Sequence, residues 1–200
     1  STSTIMSTVQ LALNGATVSK YKGGAEITVL EKNERPGRKL MITGKGRCNV
    51  TNNCDIDTLI SNVPKNGRFL YSAFSGFAPQ DTMTFFESLG VSLKTERGNR
   101  VFPVSDKASD IVDALVKTAK RGGAEIIQGT AKKILTENGA VSGVLLENGE
   151  ALPADSVILA TGGMSYPLTG STGDGYKIAR ALGHTVTEIK PSLVALNAHE

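Results

Sequence analysis

Glu31 is the first residue whose type and position could do chemistry. It comes directly after the β-rich run Glu26–Leu30, which is entered from Gly23 and Gly24. A carboxylate at the end of a strand can accept hydrogen bonds from both hydroxyls of a ribose, as the acidic residue of a Rossmann unit does. A solvated glutamate at a strand end has the same signature, so both interpretations stand.

A cationic, glycine-rich segment follows from Arg35 to Asn53. It lacks apolar periodicity and is predicted as a long loop, a kind of segment that is usually functional or disordered. Its parts Gly37–Lys39 and Gly44–Asn49 combine positive charge with small residues. Such charge stabilises the anionic reduced ring of a flavin, and glycine lets the main chain donate hydrogen bonds nearby. An exposed basic loop is the alternative.

Two further glycine-bearing turns occur late in the chain. The apolar run Ser156–Ala160 is predicted as a buried parallel strand, and Ala160–Gly163 follows it, at the edge where α/β sheets bind ligands. Gly170–Gly175 then opens a helical pattern that stops at Gly183. The bare amides of a helix start can bind anions or carbonyl oxygens. Asp174 could instead only stabilise the first helical turn, by a few tenths to ~1 kcal/mol.

The elements that must position these residues have an α/β order. Helices are predicted over Pro79–Leu89 and over Ser105–Arg121, with Ser105 as the N-cap and Gly122 as the stop. The remaining predicted elements are a strand at Ala124–Gln128 and alternating runs at Ala131–Leu135 and Val141–Glu147. An Asn-Gly turn joins the two runs, which predicts a small antiparallel meander.

Metal chemistry and nucleic-acid binding find little support. Cys48, Cys54, His184 and His199 show no ligand spacing, so no metal site is predicted and both cysteines are expected to be reduced. The net charge of +3 comes with scattered basic residues, which argues against a nucleic-acid surface.

The length of 200 residues allows one core, or one domain and part of another. A large enzyme with its own substrate domain needs more, so we expect a fragment. No apolar run is long enough to span a bilayer, and Ser1–Gln10 lacks the pattern of a secretory signal. The predicted location is the cytoplasm.

Several motifs match together: Leu30–Lys32 with Pro36–Lys39, Thr43–Asn52, Arg100–Pro103 with Lys107–Asp110, Ala160–Gly163, and Gly170–Gly175. In this combination, from about residue 24 to 196, the chain resembles the aminoacetone-oxidase-like, YhiN-type bacterial flavoproteins. The resemblance implies a glutathione-reductase-like, Rossmann-type FAD domain of the α/β class. It also implies Glu31 on the adenosine ribose, the loop from Arg38 to Asn49 along the pyrophosphate and flavin, and Thr130 and Ala131 at the adenine.

The residue patterns and the resemblance together give one set of expected cofactor contacts: Glu31, Lys32, Arg38, Lys39, Gly46, Arg47, Cys48, Asn49, Thr130, Ala131, Ala160, Thr161, Gly162, Gly163, Thr172, Gly173 and Asp174. The expected division is an atypical segment over 1–23, a partial FAD-binding domain over 24–190, and over 191–200 a connection to a substrate domain that is missing. The main departure from the family is at the front, where Ser1–Lys22 contains only Gly15 in place of a Gly-x-Gly-x-x-Gly turn.

The expected function is that of an FAD-dependent oxidoreductase acting on a small molecule, with NAD(P)H open as the electron donor. No residue suggests an acid-base catalyst, and the sequence gives no oligomeric state. The alternatives are a fumarate-reductase-like flavoprotein and a non-catalytic module that binds nucleotides or RNA.

Overall fold

A computed structural model describes residues 26–190. The strands are β1 (Thr28–Glu31), β2 (Thr51–Asn52), β3 (Leu93–Glu96), β4 (Arg100–Pro103), β5 (Glu125–Gln128), β6 (Ala131–Glu137), β7 (Ala140–Leu146) and β8 (Ala151–Pro153). The α-helices are α1 (Arg38–Ile42), α2 (Ile56–Ser61), α3 (Tyr71–Gly76), α4 (Pro79–Ser88), α5 (Ala108–Arg121) and α6 (Asp174–Ala181). Short 3₁₀ turns occupy Thr43–Gly46, Gly67–Leu70 and Pro167–Thr169. None of these helices is long and apolar enough to cross a bilayer.

The strands form three small sheets. β1 pairs in parallel with β5, from Thr28 opposite Glu125 to Glu31 opposite Gln128. The other two sheets are antiparallel, with orders β2-β4-β3 and β6-β7-β8. Because β1 and β5 run in the same direction, their carboxyl ends lie at one edge, where an α/β sheet binds its ligands.

Helix α5 leads into β5 and carries much of the core. Its buried face includes Ile111, Val112 and Leu115. The predicted N-cap, Ser105, is wrong: the helix begins at Ala108 after Lys107. The Ser105 hydroxyl instead accepts a hydrogen bond from the Lys107 amide at 3.3 Å, which closes a turn before the helix.

The segment from Arg35 to Asn53, predicted as a loop, contains helix α1 and a 3₁₀ turn. Leu40 and Met41 pack against the core cluster formed by Cys48, Phe86, Ala108, Ile111 and Leu115. Burial of these two side chains and the high helix propensity of Arg, Lys, Leu and Met explain the helix. At five residues it is too short to show periodicity in the sequence.

The meander was predicted correctly. β6 and β7 are joined through Asn138 and Gly139, whose φ angles of 51° and 79° suit the type I′ turn that Asn-Gly favours. β8 extends the sheet as a short edge strand. Helix α4 also agrees with prediction to within one residue, and its Asp81 side chain accepts a hydrogen bond from the Ala78 amide at 2.7 Å.

The predicted buried strand at Ser156–Ala160 is wrong. This stretch is irregular, and Ile158 and Leu159 are 45% and 40% exposed. An apolar composition favours a strand, but a strand also needs a neighbouring strand to bond with. None of the described strands pairs with Ser156–Ala160. The first strand of a Rossmann unit would fall before residue 26, so the prediction of an atypical segment there lies outside the described residues.

Candidate dinucleotide site

The ends of β1 and β5 place Glu31 beside the Thr130–Ala131 segment. The Gly129 amide donates to the Glu31 carbonyl oxygen at 2.9 Å, which fixes the exit of β5 next to that of β1. The Glu31 Oε1 atom accepts hydrogen bonds from the backbone amide and side chain of Asn33, at 2.9 and 2.7 Å. No described residue donates to Oε2. The half-buried carboxylate therefore keeps one oxygen for a further donor.

Lys32 ties the end of β1 to the start of α6. Its ammonium lies 2.7 Å from both the Thr172 hydroxyl and Oδ2 of Asp174. The Thr172 hydroxyl in turn donates to the same Asp174 oxygen at 2.7 Å. The hydrogen bond from Lys32, aided by Thr172, lowers the pKa of Asp174 to about 2. Asp174 thus does more than stabilise its own helix, because it holds together segments that are far apart in the chain.

The glycines of the Gly170–Gly175 turn allow close packing between segments of the chain. A Cβ atom at Gly170 would lie 2.9 Å from Nδ2 of Asn33, and one at Gly173 would lie 2.9 Å from Cγ of Met164. One at Gly175 would lie 2.5 Å from the Thr161 hydroxyl. These contacts within the protein explain the small residues without invoking a ligand.

The Ala160–Gly163 segment packs against the start of α6. The Gly173 amide donates to the Gly163 carbonyl at 3.1 Å. No side chain caps the first turn of α6. Thr161 and Gly162 are exposed beside it, and Ser171 is buried. The two glycine-bearing turns that were predicted to bind the cofactor through their backbones, Ala160–Gly163 and Gly170–Gly175, therefore lie next to each other.

Lys39 reaches the same region from α1. Its ammonium donates to the Ser165 carbonyl at 2.9 Å and lies 4.6 Å from the centre of the Tyr166 ring. Tyr166 has a left-handed backbone with φ of 56°, which costs an L-residue about 1–2 kcal/mol. Arg38 is exposed, and among residues 26–190 its guanidinium makes one hydrogen bond, which at 3.4 Å to Oδ1 of Asn33 is long.

The second half of the cationic segment, Gly46–Asn49, faces other partners. Arg47 lies 2.8 Å from Oε1 of Glu96 and 3.3 Å from Oδ1 of Asp106, and its guanidinium is 4.1 Å from the centre of the Phe102 ring. The hydrogen bond from Arg47 lowers the pKa of Glu96. Arg47 is thus part of an ion-pair cluster beside β3 and β4.

Cys48 and Asn49 complete that half. Cys48 as a whole residue is 1% exposed, and burial raises the pKa of its thiol. Its backbone amide donates to the Thr43 carbonyl at 3.0 Å, so the described residues leave no part of Cys48 open to a ligand. The side-chain amide of Asn49, with its nitrogen turned toward two carbonyl groups, donates to the backbone oxygens of Val101 and Thr51 at 3.3 and 3.0 Å. Gly46 is exposed.

The predicted residues therefore divide into two groups. In the first group, hydrogen bonds and close contacts join Glu31, Lys32, Arg38 and Lys39 to Asn33, Ser165 and the Thr161–Gly163 and Thr172–Asp174 segments. Thr130 and Ala131 follow Gly129, which bonds Glu31, and Ala160 precedes Thr161. Among the described residues, no hydrogen bond connects Gly46–Asn49 to the first group. Sequence reasoning missed Asn33, which holds both Glu31 and the Thr169 carbonyl; its position two residues after the strand-end glutamate was the available signal.

The first group has the donors and acceptors that a dinucleotide needs. A carboxylate oxygen can accept from ribose, and uncapped amides at α6 can meet an acceptor. The Lys39 ammonium and the exposed Arg38 guanidinium supply positive charge for phosphates, whereas the charge of Lys32 is balanced by Asp174. These residues fit FAD.

The sequence is similar to several known proteins. The family model described as the HI0933-like protein Rossmann domain matches residues 13–195. A 3-dehydro-bile acid delta(4,6)-reductase from Clostridium scindens is 36% identical over 179 residues, which cover 89% of this chain and 42% of that protein. A ribosomal RNA dihydrouridine synthase from Escherichia coli is 28% identical over 181 residues, with coverages of 90% and 44%. An L-aspartate oxidase from Saccharolobus solfataricus is 25% identical over 201 residues, with coverages of 89% and 42%.

The chain spans less than half the length of these curated relatives. The family match covers nearly the whole sequence and confirms the predicted Rossmann-type FAD-binding fold. It also confirms the resemblance drawn from the motifs. The chain belongs to the family of HI0933-like protein Rossmann domains.

Proposed function

We propose that this chain is the cofactor-binding portion of an FAD-dependent oxidoreductase. The observation that carries the proposal is the convergence of Glu31, the Thr130–Ala131 segment and the Thr172–Asp174 turn at one edge of the β1-β5 sheet. A Rossmann-type domain binds its dinucleotide at such an edge. Relatives that are named as a reductase and an oxidase support the redox assignment.

Each residue has a role in this proposal. Glu31 accepts from the adenosine ribose through its remaining oxygen, and Thr130 and Ala131 border the adenine. Lys39 and Arg38 place positive charge along the pyrophosphate, while the amides near Gly163 and at the start of α6 provide hydrogen-bond donors. When bound, the flavin supplies hydride transfer, and the protein supplies binding, orientation and electrostatics.

The Gly46–Asn49 half of the cationic segment remains a predicted flavin contact. Cys48 is buried, Arg47 is paired with Glu96, and the Asn49 side chain bonds the Val101 and Thr51 carbonyls, so the contribution of this half would come from the exposed backbone of Gly46. We also propose that residues 24–190 form the partial FAD domain and that 191–200 lead into the rest of a longer cytoplasmic, bacterial enzyme.

We propose a small-molecule substrate, on the strength of the relative named as a bile acid reductase. The relative named as a ribosomal RNA dihydrouridine synthase makes RNA the competing substrate. Titration with RNA at several salt concentrations separates the two, because an electrostatic RNA surface gives an affinity that falls steeply with salt. Tight RNA binding of this kind would reject the small-molecule proposal.

The test of the proposed function is the absorbance spectrum of the purified chain, recorded before and after addition of FAD. We expect a bound flavin spectrum and a higher melting temperature with FAD, since a ligand at 100 times its Kd stabilises the folded state by about 2.7 kcal/mol. NAD serves as the control dinucleotide. If the chain stayed colourless and its melting temperature did not change with saturating FAD, the proposal that it binds FAD would be rejected.

The electron donor requires its own measurement. We propose NAD(P)H, and addition of NADPH to the flavin-loaded protein without oxygen should bleach the flavin absorbance. Flavin that stays oxidised under these conditions would exclude NADPH as the donor.

A further inference from the structure

Tyr166 combines a strained backbone with an exposed aromatic ring. Its φ of 56° lies in the left-handed region, where bulky residues are rare, and the residue is 68% exposed. By comparison Tyr71, which is 52% exposed, has an ordinary helical φ of −56°. Burial of the ring therefore does not account for the conformation of Tyr166.

Specific contacts hold Tyr166 in this conformation. Its carbonyl accepts from the amide and the hydroxyl of Thr169, at 2.9 and 2.7 Å. The Lys39 ammonium bonds the preceding carbonyl, of Ser165, and lies 4.6 Å from the ring centre. The surroundings thus fix where the ring stands, although the ring itself remains largely in solvent. Strain that is maintained in this way is concentrated at binding sites.

The two faces of the ring differ. The Lys39 ammonium covers one face, and the high exposure of the residue leaves ring surface open to solvent. The ring also follows Ala160–Gly163 closely in sequence, and Met164 between them packs on Gly173 at the start of α6. An aromatic plane next to a fixed positive charge suits a ligand that has both a planar ring and phosphates.

We propose that Tyr166 is a stacking platform for a planar ring of the bound dinucleotide, with Lys39 as the residue that positions it. The shared chemistry is that of a flat aromatic heterocycle, which either the adenine or the isoalloxazine of FAD supplies. This inference rests on the proposed function, because it requires that the chain binds a dinucleotide.

The test compares the full chain with its Tyr166→Leu and Tyr166→Phe variants in titrations with FAD, ADP and FMN. Stacking on one base changes affinity by about 5- to 150-fold when the aromatic side chain is removed. We therefore expect Tyr166→Leu to weaken FAD binding by this factor and Tyr166→Phe to restore it. Leu168→Ala is the matched control, since Leu168 is 88% exposed in the same turn and should leave every affinity unchanged.

The ligands identify which ring stacks. Loss of affinity for FAD and ADP but not FMN assigns the platform to the adenine, and loss for FAD and FMN but not ADP assigns it to the isoalloxazine. Unchanged FAD affinity in Tyr166→Leu, with wild-type chain that does bind FAD, overturns the platform and leaves the proposed function intact. A wild-type chain that binds none of the three rejects the proposed function itself.

A purely structural role for Tyr166 has its own signature. It would lower the melting temperature of the free Tyr166→Leu chain and weaken all three ligands alike, and this result would also overturn the inference. Because the ring is mostly in solvent, we expect the free variant to melt as the wild-type chain does.

Discussion

The Lys32 ammonium lies 2.7 Å from the Asp174 carboxylate, although the two residues are 142 positions apart. Lys32 directly follows β1, and Asp174 is the first residue of α6. Their contact therefore joins the parallel sheet to the glycine-rich turn late in the chain. Each side chain is about a quarter exposed, at 26% and 25%. The pair is screened less than a fully exposed one but is not removed from solvent.

This ion pair should make stability depend on pH in the acid range. The pKa of Asp174 is lowered from 3.8 to about 2, chiefly by Lys32, so the folded chain binds this proton more weakly than the unfolded chain. The resulting stabilisation is complete above the unfolded pKa and is lost as the pH falls through about 2. We expect a contribution of about 1 kcal/mol, because solvent screening reduces the value that the pKa shift alone would give.

Urea unfolding of Lys32→Met measures this contribution. The variant should lose about 1 kcal/mol near neutral pH and much less once Asp174 is protonated in both states. Lys177→Met is the control, since Lys177 is 72% exposed and lies 3.3 Å from the other oxygen of Asp174. Equal destabilisation by Lys32→Met at neutral and at strongly acidic pH would contradict the ion-pair explanation.

A second prediction concerns Gly44, which has a φ of 56° and lies against a core ring. A Cβ atom there would be 2.7 Å from Cε1 of Phe102 and 3.0 Å from the Asn49 amide nitrogen. Gly44→Ala should therefore cost backbone strain of about 1–2 kcal/mol and overpacking of about 1–3 kcal/mol. Thermal or urea unfolding provides the measurement.

Gly139→Ala is the matched variant for Gly44→Ala. Gly139 also has a positive φ, 79°, but a Cβ atom there would meet nothing within 4 Å. It should show only the strain, so the difference between the two variants measures the contacts with Phe102 and the Asn49 backbone. If both variants lost the same stability, the close approach of Gly44 to the ring would be refuted.

A third prediction distinguishes the two thiols. Cys48 is 1% exposed, while Cys54 is intermediate, and burial raises the pKa of both thiols. Because the thiolate is the reactive form and must reach the reagent, Cys48 should react with a thiol reagent only as fast as the chain opens. In the Cys54→Ser variant the reagent can label only Cys48, so the labelling rate measures that thiol alone. Rapid labelling under native conditions would show that the Cys48 thiol is not buried in the core.

Elements were predicted correctly where the residues of the element itself determine its conformation. The Asn138-Gly139 turn requires two positive φ angles, which these residues adopt at low cost, and its strands flank it as expected. The apolar face of α5 repeats over four turns and was recognised for the same reason. Glu31 at the end of a strand was placed correctly because the strand and its boundary were both visible.

Other features depend on neighbours that are distant in sequence. The apolar run at Ser156–Ala160 has the composition of a strand, yet no described strand pairs with it. Arg47 was predicted as a cofactor contact, and in the structure its guanidinium forms ion pairs with Glu96 and Asp106. These acidic residues are distant in sequence, so no local pattern could predict that they lie beside Arg47. Tyr166 carries no sequence signal, since its strain and exposure arise only in the folded chain.

The last prediction tests Glu31 as the ribose acceptor. Glu31→Ala should weaken FAD binding by ~1–3 kcal/mol, because the ribose hydroxyls would lose their acceptor. Glu31→Gln keeps the shape and one acceptor oxygen and should weaken binding less. Titration of both variants with FAD gives the comparison, with Glu34→Ala as a control because Glu34 is an exposed carboxylate three residues away.

Glu31 also holds Asn33 in place, and this structural role must be distinguished from direct contact with the ribose. Its Oε1 atom holds the amide and side chain of Asn33, which in turn bonds the Thr169 carbonyl at 3.4 Å. Asn33→Ala removes this anchoring while leaving the carboxylate in place, so a loss of FAD affinity in Glu31→Ala that exceeds the loss in Asn33→Ala measures the direct contact. If the two losses were equal, Glu31 would act only by positioning the turn, and an unchanged dissociation constant in Glu31→Ala would make it a solvated glutamate at the end of a strand.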